Sequence, residues 1–355
     1  MTSQTGTILV TGANGGLGSA IVDRILSSET LAKAYRGLYT VRNVQSASAV
    51  QKVLRKAPSA GHEYDLVALD LSSLASVREV AADINKRVAD GSIPPIRALV
   101  LCAGWQEYTT QTMTDDGFDM AFQSNYLSHF LLTLLLLQSM DTKNGRVVVL
   151  GSWSHDTTDK RNSVGPLAQA FVPEKYNQVF KEPMDTESLA RGKWSRPEEN
   201  PGDGITGFRR YGASKLCEVM MMRELSRRIA RDPKLSSIAV LGVDPGAMPS
   251  GLGARGGFMI QIIFHLVMPW LNPLMTALKP NGEMRTTWKS GGDVIQAAFD
   301  TKTLGERPNG VYMDGSQVGD VSPEAKDEAK CRKLWEDSLG YAQVREGDTI
   351  LADWR

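Results

Sequence analysis

Tyr211-Gly212-Ala213-Ser214-Lys215 is the only YxxxK in the chain. Positions i and i+4 share one face of a helix, so a helix here would set an ammonium beside a phenol. A nearby cation favours the phenolate and lowers a pKa that starts near about 10. A tyrosine tuned this way can exchange a proton with an alcohol or ketone oxygen near neutral pH. Alone the pair is a weak signal, and three companions strengthen it. Ser152 follows the strand-like run Val147-Val148-Val149-Leu150-Gly151, at a strand end where sheet ligands bind. Asn125 is expected to open a long helix, and Pro245-Gly246 follow a further apolar run, Ile238 to Val243.

A second group of residues suits phosphate. Thr11-Gly12-Ala13-Asn14-Gly15-Gly16-Leu17-Gly18 follows the first apolar run with the spacing TGxxxGxG. Glycine allows a tight turn and a close backbone approach to a pyrophosphate, and the next helix aims its first amides at that charge. The loop opens a βαβ pattern, the context the motif requires. The second strand ends Tyr39-Thr40-Val41-Arg42-Asn43, with no acid to hold the adenosine ribose hydroxyls and with Arg42 placed to pair with a 2′-phosphate. A charge-assisted contact of that kind is worth about 1.5–3 kcal/mol. The pattern therefore points to NADP(H).

These residues need a frame. Strands are expected at 7–10, 37–41, 65–71, 98–102, 146–150 and 238–243. Helices are expected at about 18–33, 74–88, 125–140 and 211–231. Such alternation builds a doubly wound parallel sheet with helices on both faces, the α/β Rossmann-like class. The strands at 98–102 and 146–150 are nearly continuous Val and Leu, as strands covered on both faces are. The whole chain, 1–355, is read as one such domain. Within it, 156–208 is an inserted excursion, 251–290 a substrate lid and 315–355 a C-terminal extension. Phe258 to Met275 is apolar and uncharged, interrupted by Gln261, His265, Pro269 and Asn272. A membrane span needs about 20 apolar residues, so a buried or lid-forming helix is the preferred reading, with peripheral membrane contact left open.

Other classes are disfavoured. Lys plus Arg and Asp plus Glu are 40 each, so the net charge is zero and a nucleic-acid partner is not expected. Cys102, Cys217 and Cys331 are odd in number and scattered, which favours a reducing, cytoplasmic setting over a disulfide framework. The start, MTSQTGTILV, lacks the basic and apolar regions of a secretion signal. His62, His129, His155 and His265 are not in ligand spacing and read as packed or surface residues, and no CxxC or HExxH occurs, so no metal is expected. There is no GxSxG hydrolase elbow. Met220, Met221, Met222 and Leu225 read as core or subunit interface. Arg223, Arg227, Arg228 and Arg231 read as a solvated helix face.

Taken together, TGANGGLG, Asp70 after Val67-Ala68-Leu69, Cys102-Ala103-Gly104, Asn125, Ser152, Tyr211/Lys215 and Pro245-Gly246 resemble the short-chain dehydrogenase/reductase family in identity and order, over about residues 5–250. Asn125-Tyr126-Leu127-Ser128-His129-Phe130-Leu131-Leu132-Thr133, the Ser152…His155 spacing and the tail (Asn309-Gly310-Val311-Tyr312, Ser322-Pro323-Glu324-Ala325, Leu334-Trp335) resemble its retinol-dehydrogenase and protochlorophyllide-reductase-like branch.

The resemblance implies roles. Tyr211 would be the general acid or base and Ser152 would orient the substrate oxygen. Lys215 would hold the nicotinamide ribose and lower the Tyr211 pKa. Asn125 would fix a water behind Lys215. Gly12, Asn14, Gly16, Leu17 and Gly18 would cradle the pyrophosphate, and Asp70 with Leu71 would meet the adenine. Ala103 and Gly104 would line the adenosine-ribose side, and Pro245, Gly246 and Ser250 would border the nicotinamide amide. The chain departs from the family's Asn-Asn-Ala-Gly at Leu101-Cys102, and from its commoner threonine at Ser250. The long helix after Asn125, with the apolar run Leu131 to Leu137, often packs in a homodimer interface in this family.

The expected activity is NADPH-dependent reduction of a ketone or aldehyde of a hydrophobic small molecule (polyketide, terpenoid, sterol or retinoid-like), or the reverse. Two alternatives stand: reduction of a C=C bond, and a non-catalytic NADP-binding module.

Overall fold

The computed structural model describes residues 4–355, so the first residues of the N-terminal reading lie outside it. Eight strands form one sheet: β1 (Gly6–Val10), β2 (Tyr35–Val41), β3 (Tyr64–Ala68), β4 (Ile96–Leu101), β5 (Arg146–Leu150), β6 (Ala239–Asp244), β7 (Tyr312–Asp314) and β8 (Gln317–Val318). Their order is β3-β2-β1-β4-β5-β6-β7-β8. Every pairing is parallel except the β7–β8 hairpin. The order reverses between β1 and β4, which opens a crevice beyond their carboxyl ends. This is the doubly wound α/β sheet expected from the alternating pattern.

Side chains alternate across the sheet with period two. Ile8, Val10, Val148 and Leu241 face one core with the helices Gly16–Leu26 and Thr287–Phe299. Leu9, Leu99, Val147 and Val240 face the other, with Leu74–Ala89, Ser128–Leu136, Ile205–Arg231 and Glu328–Tyr341. Met220, Met221, Met222 and Leu225 belong to this second core.

Several elements depart from expectation. The helix expected at 18–33 is two, Gly16–Leu26 and Glu29–Ala34, because Ser28 accepts from the Leu31 amide and starts a new helix. Asn125 does not open its helix. Asp119 caps the turn by accepting from the Ala121 and Phe122 amides, and Asn125 sits inside a π-helical segment, Phe122–Leu127, that precedes Ser128–Leu136. The Tyr211 helix begins earlier, at Ile205, after Gly204 at φ 78°. Arg228 is not solvated: it is 5% exposed and paired with Glu224 at 2.7 Å.

The helix Ser128–Leu136 has no face left for a second copy. Every residue in it is buried, and the C-terminal helix covers it, with Trp335 edge-on to Phe130 at 4.9 Å between ring centroids. The homodimer expectation on that surface is thereby corrected.

Phe258–Leu278 is one continuous helix, and the buried alternative of the preferred reading does not hold, while the lid-forming one is untouched by its exposure. Trp270 is 82% exposed, Phe258 78% and Leu278 73%. Only Ile260, Met268 and Asn272 are buried. Among the described residues it is the one helix long and apolar enough to cross a membrane by length and composition.

The excursion 156–208 is a chain of turns with one short helix, Thr186–Ala190, and a small core of its own around Ala170, Phe171 and Ile205.

Candidate active site

A cavity of about 590 Å³ lies over the carboxyl ends of β1, β2, β4, β5 and β6. Of the residues singled out in the sequence, Gly12, Asn14, Gly16, Leu17, Gly18, Arg42, Leu71, Ala103, Gly104, Ser152, Tyr211, Lys215, Pro245, Gly246 and Ser250 line it. Asp70 and Asn125 do not.

At the β1 end the backbone itself is the surface. Gly12 adopts φ +66°, and a Cβ there would lie 2.7 Å from Ala103 Cα, so only glycine lets the loop close against β4. The helix Gly16–Leu26 starts at Gly15 with no side-chain cap and no acid in its first turn. Its leading amides are therefore free for an anion. Asn14 lines the cavity, but its side-chain oxygen accepts from the Ala49 and Val50 amides and ties the loop to the helix Ser48–Leu54. At the β2 end the Arg42 side chain is 58% exposed, with only Asp70 near it at 3.7 Å. Asp70 turns to the Ser72 amide and hydroxyl at 2.9 and 2.7 Å, which explains its place at the rim. An uncapped helix start, a glycine cradle and a cation without a close counter-ion together fit a phosphorylated dinucleotide.

The reacting end is built by β5 and the helix Ile205–Arg231. Ser152 follows β5, and its hydroxyl is 3.0 Å from that of Ser154. Lys215 Nζ donates to Leu150 O at 2.8 Å and lies 2.7 Å from Glu218 Oε2. Burial lifts the Tyr211 phenol above its ordinary range. Lys215 and a hydrogen bond with Ser152 pull it down, while Glu218 and Asp244 add to the rise. Sequence reasoning expected the lysine to win; burial and two carboxylates outweigh it. Burial also works against the Lys215 ammonium, but Glu218, with Tyr211 and Cys102, offsets it, so this lysine holds its proton above the usual range.

Asn125 is fully buried behind the wall. Its amide accepts from the Trp105 N–H at 2.6 Å, donates to the Trp105 carbonyl at 3.0 Å, and donates to Ser214 Oγ at 2.8 Å. It pins the loop after β4 to the helix that carries Tyr211. His155 plays a similar part for β5. Its Nε2 accepts from the Ser322 amide, so Nδ1 carries the proton and donates to Ser152 O at 2.6 Å.

Sequence reasoning missed Trp105, Asp244, Arg255 and Glu218. The first two adjoin residues already named, Gly104 and Pro245. Arg255 is distant in sequence but packs on the Trp105 ring at 3.4 Å, on the side of the cavity shared with Arg42. Glu218 is on the helix face of Lys215 and Tyr211, at i+3 and i+7, a spacing that could have found it. Asp244 Oδ1 accepts from the Gly246 amide, and burial pushes its carboxyl up to about 6. The rest of the wall includes the apolar side chains of Trp153, Leu167, Phe208, Met248, Leu252 and Phe264, with Gln106, Tyr108 and Ser124 among its polar members.

Comparison with known proteins agrees with this geometry. The short chain dehydrogenase family model matches residues 6–163. The chain is 57% identical to the short-chain dehydrogenase iccH of Talaromyces variabilis, over 99% of this chain and 100% of that one. It is 28% identical to human retinol dehydrogenase 13, over 94% and 83% of the two chains. The crystal structure of landomycin C-6 ketoreductase LanV, with bound NADP and rabelomycin, shares the fold with a TM-score of 0.53 and 17% identity, covering 88% of this chain and 96% of that one. The 57% identity to iccH across the whole length of both chains shows that the chain belongs to the short-chain dehydrogenase/reductase family of oxidoreductases.

Proposed function

We propose that the protein is an NADPH-dependent reductase of a ketone or aldehyde on a hydrophobic, ring-containing small molecule. The observation that carries this reading is one cavity with two ends. A glycine cradle and Arg42 lie at one end; Ser152, Tyr211 and Lys215 face an apolar and aromatic wall at the other.

Arg42 would hold the 2′-phosphate and the amides after Gly15 the pyrophosphate. Leu71, Ala103 and Gly104 would line the adenosine side, with Asp70 at its rim. Lys215 would hold the nicotinamide ribose, and Pro245, Gly246 and Ser250 would border the carboxamide. The cofactor, when bound, supplies the hydride. Ser152 Oγ orients the carbonyl oxygen, and the Tyr211 hydroxyl gives that oxygen its proton as carbon becomes an alcohol. In the reverse direction the Tyr211 oxygen takes the proton back. Asn125 acts through position, by fixing the Trp105 loop. The bound NADP of LanV and the name of iccH support this assignment.

The segment 251–290 would close the substrate end. Phe264 and Leu252 line the cavity from inside, while the outer face of Phe258–Leu278 would rest in a membrane interface. Exposed Trp270, Phe258 and Leu274 side chains suit the apolar side of such a contact.

The test is NADPH oxidation against a panel of hydrophobic ketones and enones, with Tyr211→Phe beside the wild type. Carbonyl reduction that the variant loses, while it still binds NADPH, is the expected result. A product that keeps its carbonyl and gains hydride at carbon would transfer the assignment to C=C reduction. Cofactor binding with no turnover of any compound would overturn the reductase reading in favour of a binding module.

A further inference from the structure

We infer that Glu218 is a positioning residue for this chemistry: its carboxylate holds the Lys215 ammonium from behind, opposes that ammonium's pull on Tyr211, and so sets how tightly the tyrosine holds its proton. The inference rests on the reading of Tyr211 as proton donor given above.

Glu218 is 0% exposed in the middle of the helix Ile205–Arg231, among Leu216, Cys217, Val219 and Met220. Neither of its oxygens accepts an aligned hydrogen bond. A carboxylate in such a place is costly unless it is paired, and an apolar residue of similar size would fill the space at lower cost. Its close partner is Lys215, at 2.7 Å. The other cationic candidate, His129, is 3.8 Å away, and its Nδ1 is already within 2.7 Å of Asn125 O while Nε2 meets Thr11 Oγ1 at 2.9 Å. The histidine is thus satisfied without Glu218, and the lysine is not.

The geometry of Lys215 follows from this pair. An ammonium has three donors. The Leu150 carbonyl takes one and Glu218 lies against Nζ at 2.7 Å, which leaves donor capacity for the cavity that Lys215 lines. Tyr211, Lys215 and Glu218 form a line along one helix face, with charges alternating behind the phenol. The lysine favours phenolate and the glutamate opposes it. The groups that face this line from other elements are Cys102 after β4, Asp244 at the end of β6, Ser152 after β5, and the phenols Tyr108 and Tyr312. Asp244 acts on Tyr211 in the same sense as Glu218, and Ser152 in the opposite sense. Of the carboxylates, Glu218 alone also holds the lysine.

The experiment is a titration of Tyr211 by carbon-13 NMR in protein labelled at the tyrosine ζ carbon, with the signal assigned through Tyr211→Phe. In Glu218→Gln the phenol should ionise at lower pH, by about one pH unit or more. Glu218→Asp keeps the charge but retracts it, so an intermediate shift is expected, and this variant carries the test if Gln does not fold. The alkaline limb of kcat for reduction should move with the NMR midpoint. A midpoint that stays in place or rises in the folded variant overturns the inference. A wild type that turns over no substrate overturns the reductase reading instead, and the NMR titration still decides the role of Glu218.

Discussion

Two long helices meet the same cavity and are treated in opposite ways. Ile205–Arg231 carries Arg209, Arg210, Lys215, Glu218, Glu224 and Arg228, all 5% exposed or less. Phe258–Leu278 carries no charge, yet most of it faces outward. Hydropathy alone would have exchanged their places. The charges of the first are held because each finds a partner inside: Asp119 and two carbonyls for Arg210, Glu218 for Lys215, Glu224 for Arg228. The second exposes an apolar face for which the chain supplies no cover. Trp270, Leu274 and Leu278 along it are 82%, 58% and 73% exposed. One helix is closed within the fold, and the other turns its apolar side chains outward.

The comparison breaks most sharply at Arg210. It sits 3.2 Å from Asp119 and donates to Ser195 O and Thr110 O at 2.6 Å each. Arg210→Ala leaves the buried Asp119 carboxylate with neutral donors but no counter-ion, and a loss of about 3–5 kcal/mol is expected. Urea unfolding of the variant measures it, and a change under about 1 kcal/mol would show that the buried charges are not what hold this helix.

Asp244 gives a pH-dependent version. Its folded carboxyl is raised to about 6, above the roughly 3.9 of an unfolded aspartate. The native state therefore binds the proton more tightly, and the stability this group contributes is present below about pH 4 and lost as pH rises through about 6. The stability of Asp244→Asn relative to wild type should rise across that window. A difference that is flat with pH would exclude the titration.

Arg42 tests charge that is exposed and only loosely paired, with Asp70 at 3.7 Å. Arg42→Ala should weaken NADPH binding roughly ten- to a hundredfold, with NADH binding unchanged, as read by fluorescence titration of both cofactors. Equal losses for both would remove the 2′-phosphate from its role.

The smallest effect on folding is expected on the outer helix. Trp270→Glu and Leu274→Glu, at positions 82% and 58% exposed, should change stability by no more than about 0.5 kcal/mol. Flotation with phospholipid vesicles should nonetheless fall markedly for the double variant. A wild type that stays off vesicles would end the membrane assignment.

The parts legible in the sequence are those that local chemistry dictates. The glycine loop, β4, β5 and the Tyr211–Lys215 pair are written in short runs whose neighbours in sequence are also neighbours in space. Less legible were features set by distant contacts. The break at Ser27–Ser28 depends on a cap that outcompetes an otherwise continuous helix pattern. The π-helical turn at Asn125 follows from a start fixed by Asp119. The Arg255–Trp105 stack joins residues 150 apart. Hydrophobic periodicity reported an apolar helix at 258–275 but could not say which side of it the protein would cover, and the buried alternative for it failed for that reason.

The excursion between Ser152 and Tyr211 has a consequence for descent. It is held to the catalytic helix by Arg209, which donates to Ala170 O, and by Arg210, which donates to Ser195 O. Both acceptors are main-chain carbonyls, which every amino acid provides. It also contributes Leu167 and Phe208 to the wall that faces a substrate. Asn200 and Tyr176 also hold Arg209, Arg161 pairs with Asp314 and Thr186 meets Tyr341, so it is the side chains other than these that can drift while the attachment persists. The segment behaves as an exchangeable cartridge, and a library of variants confined to it would sample new substrates without rewriting the reaction.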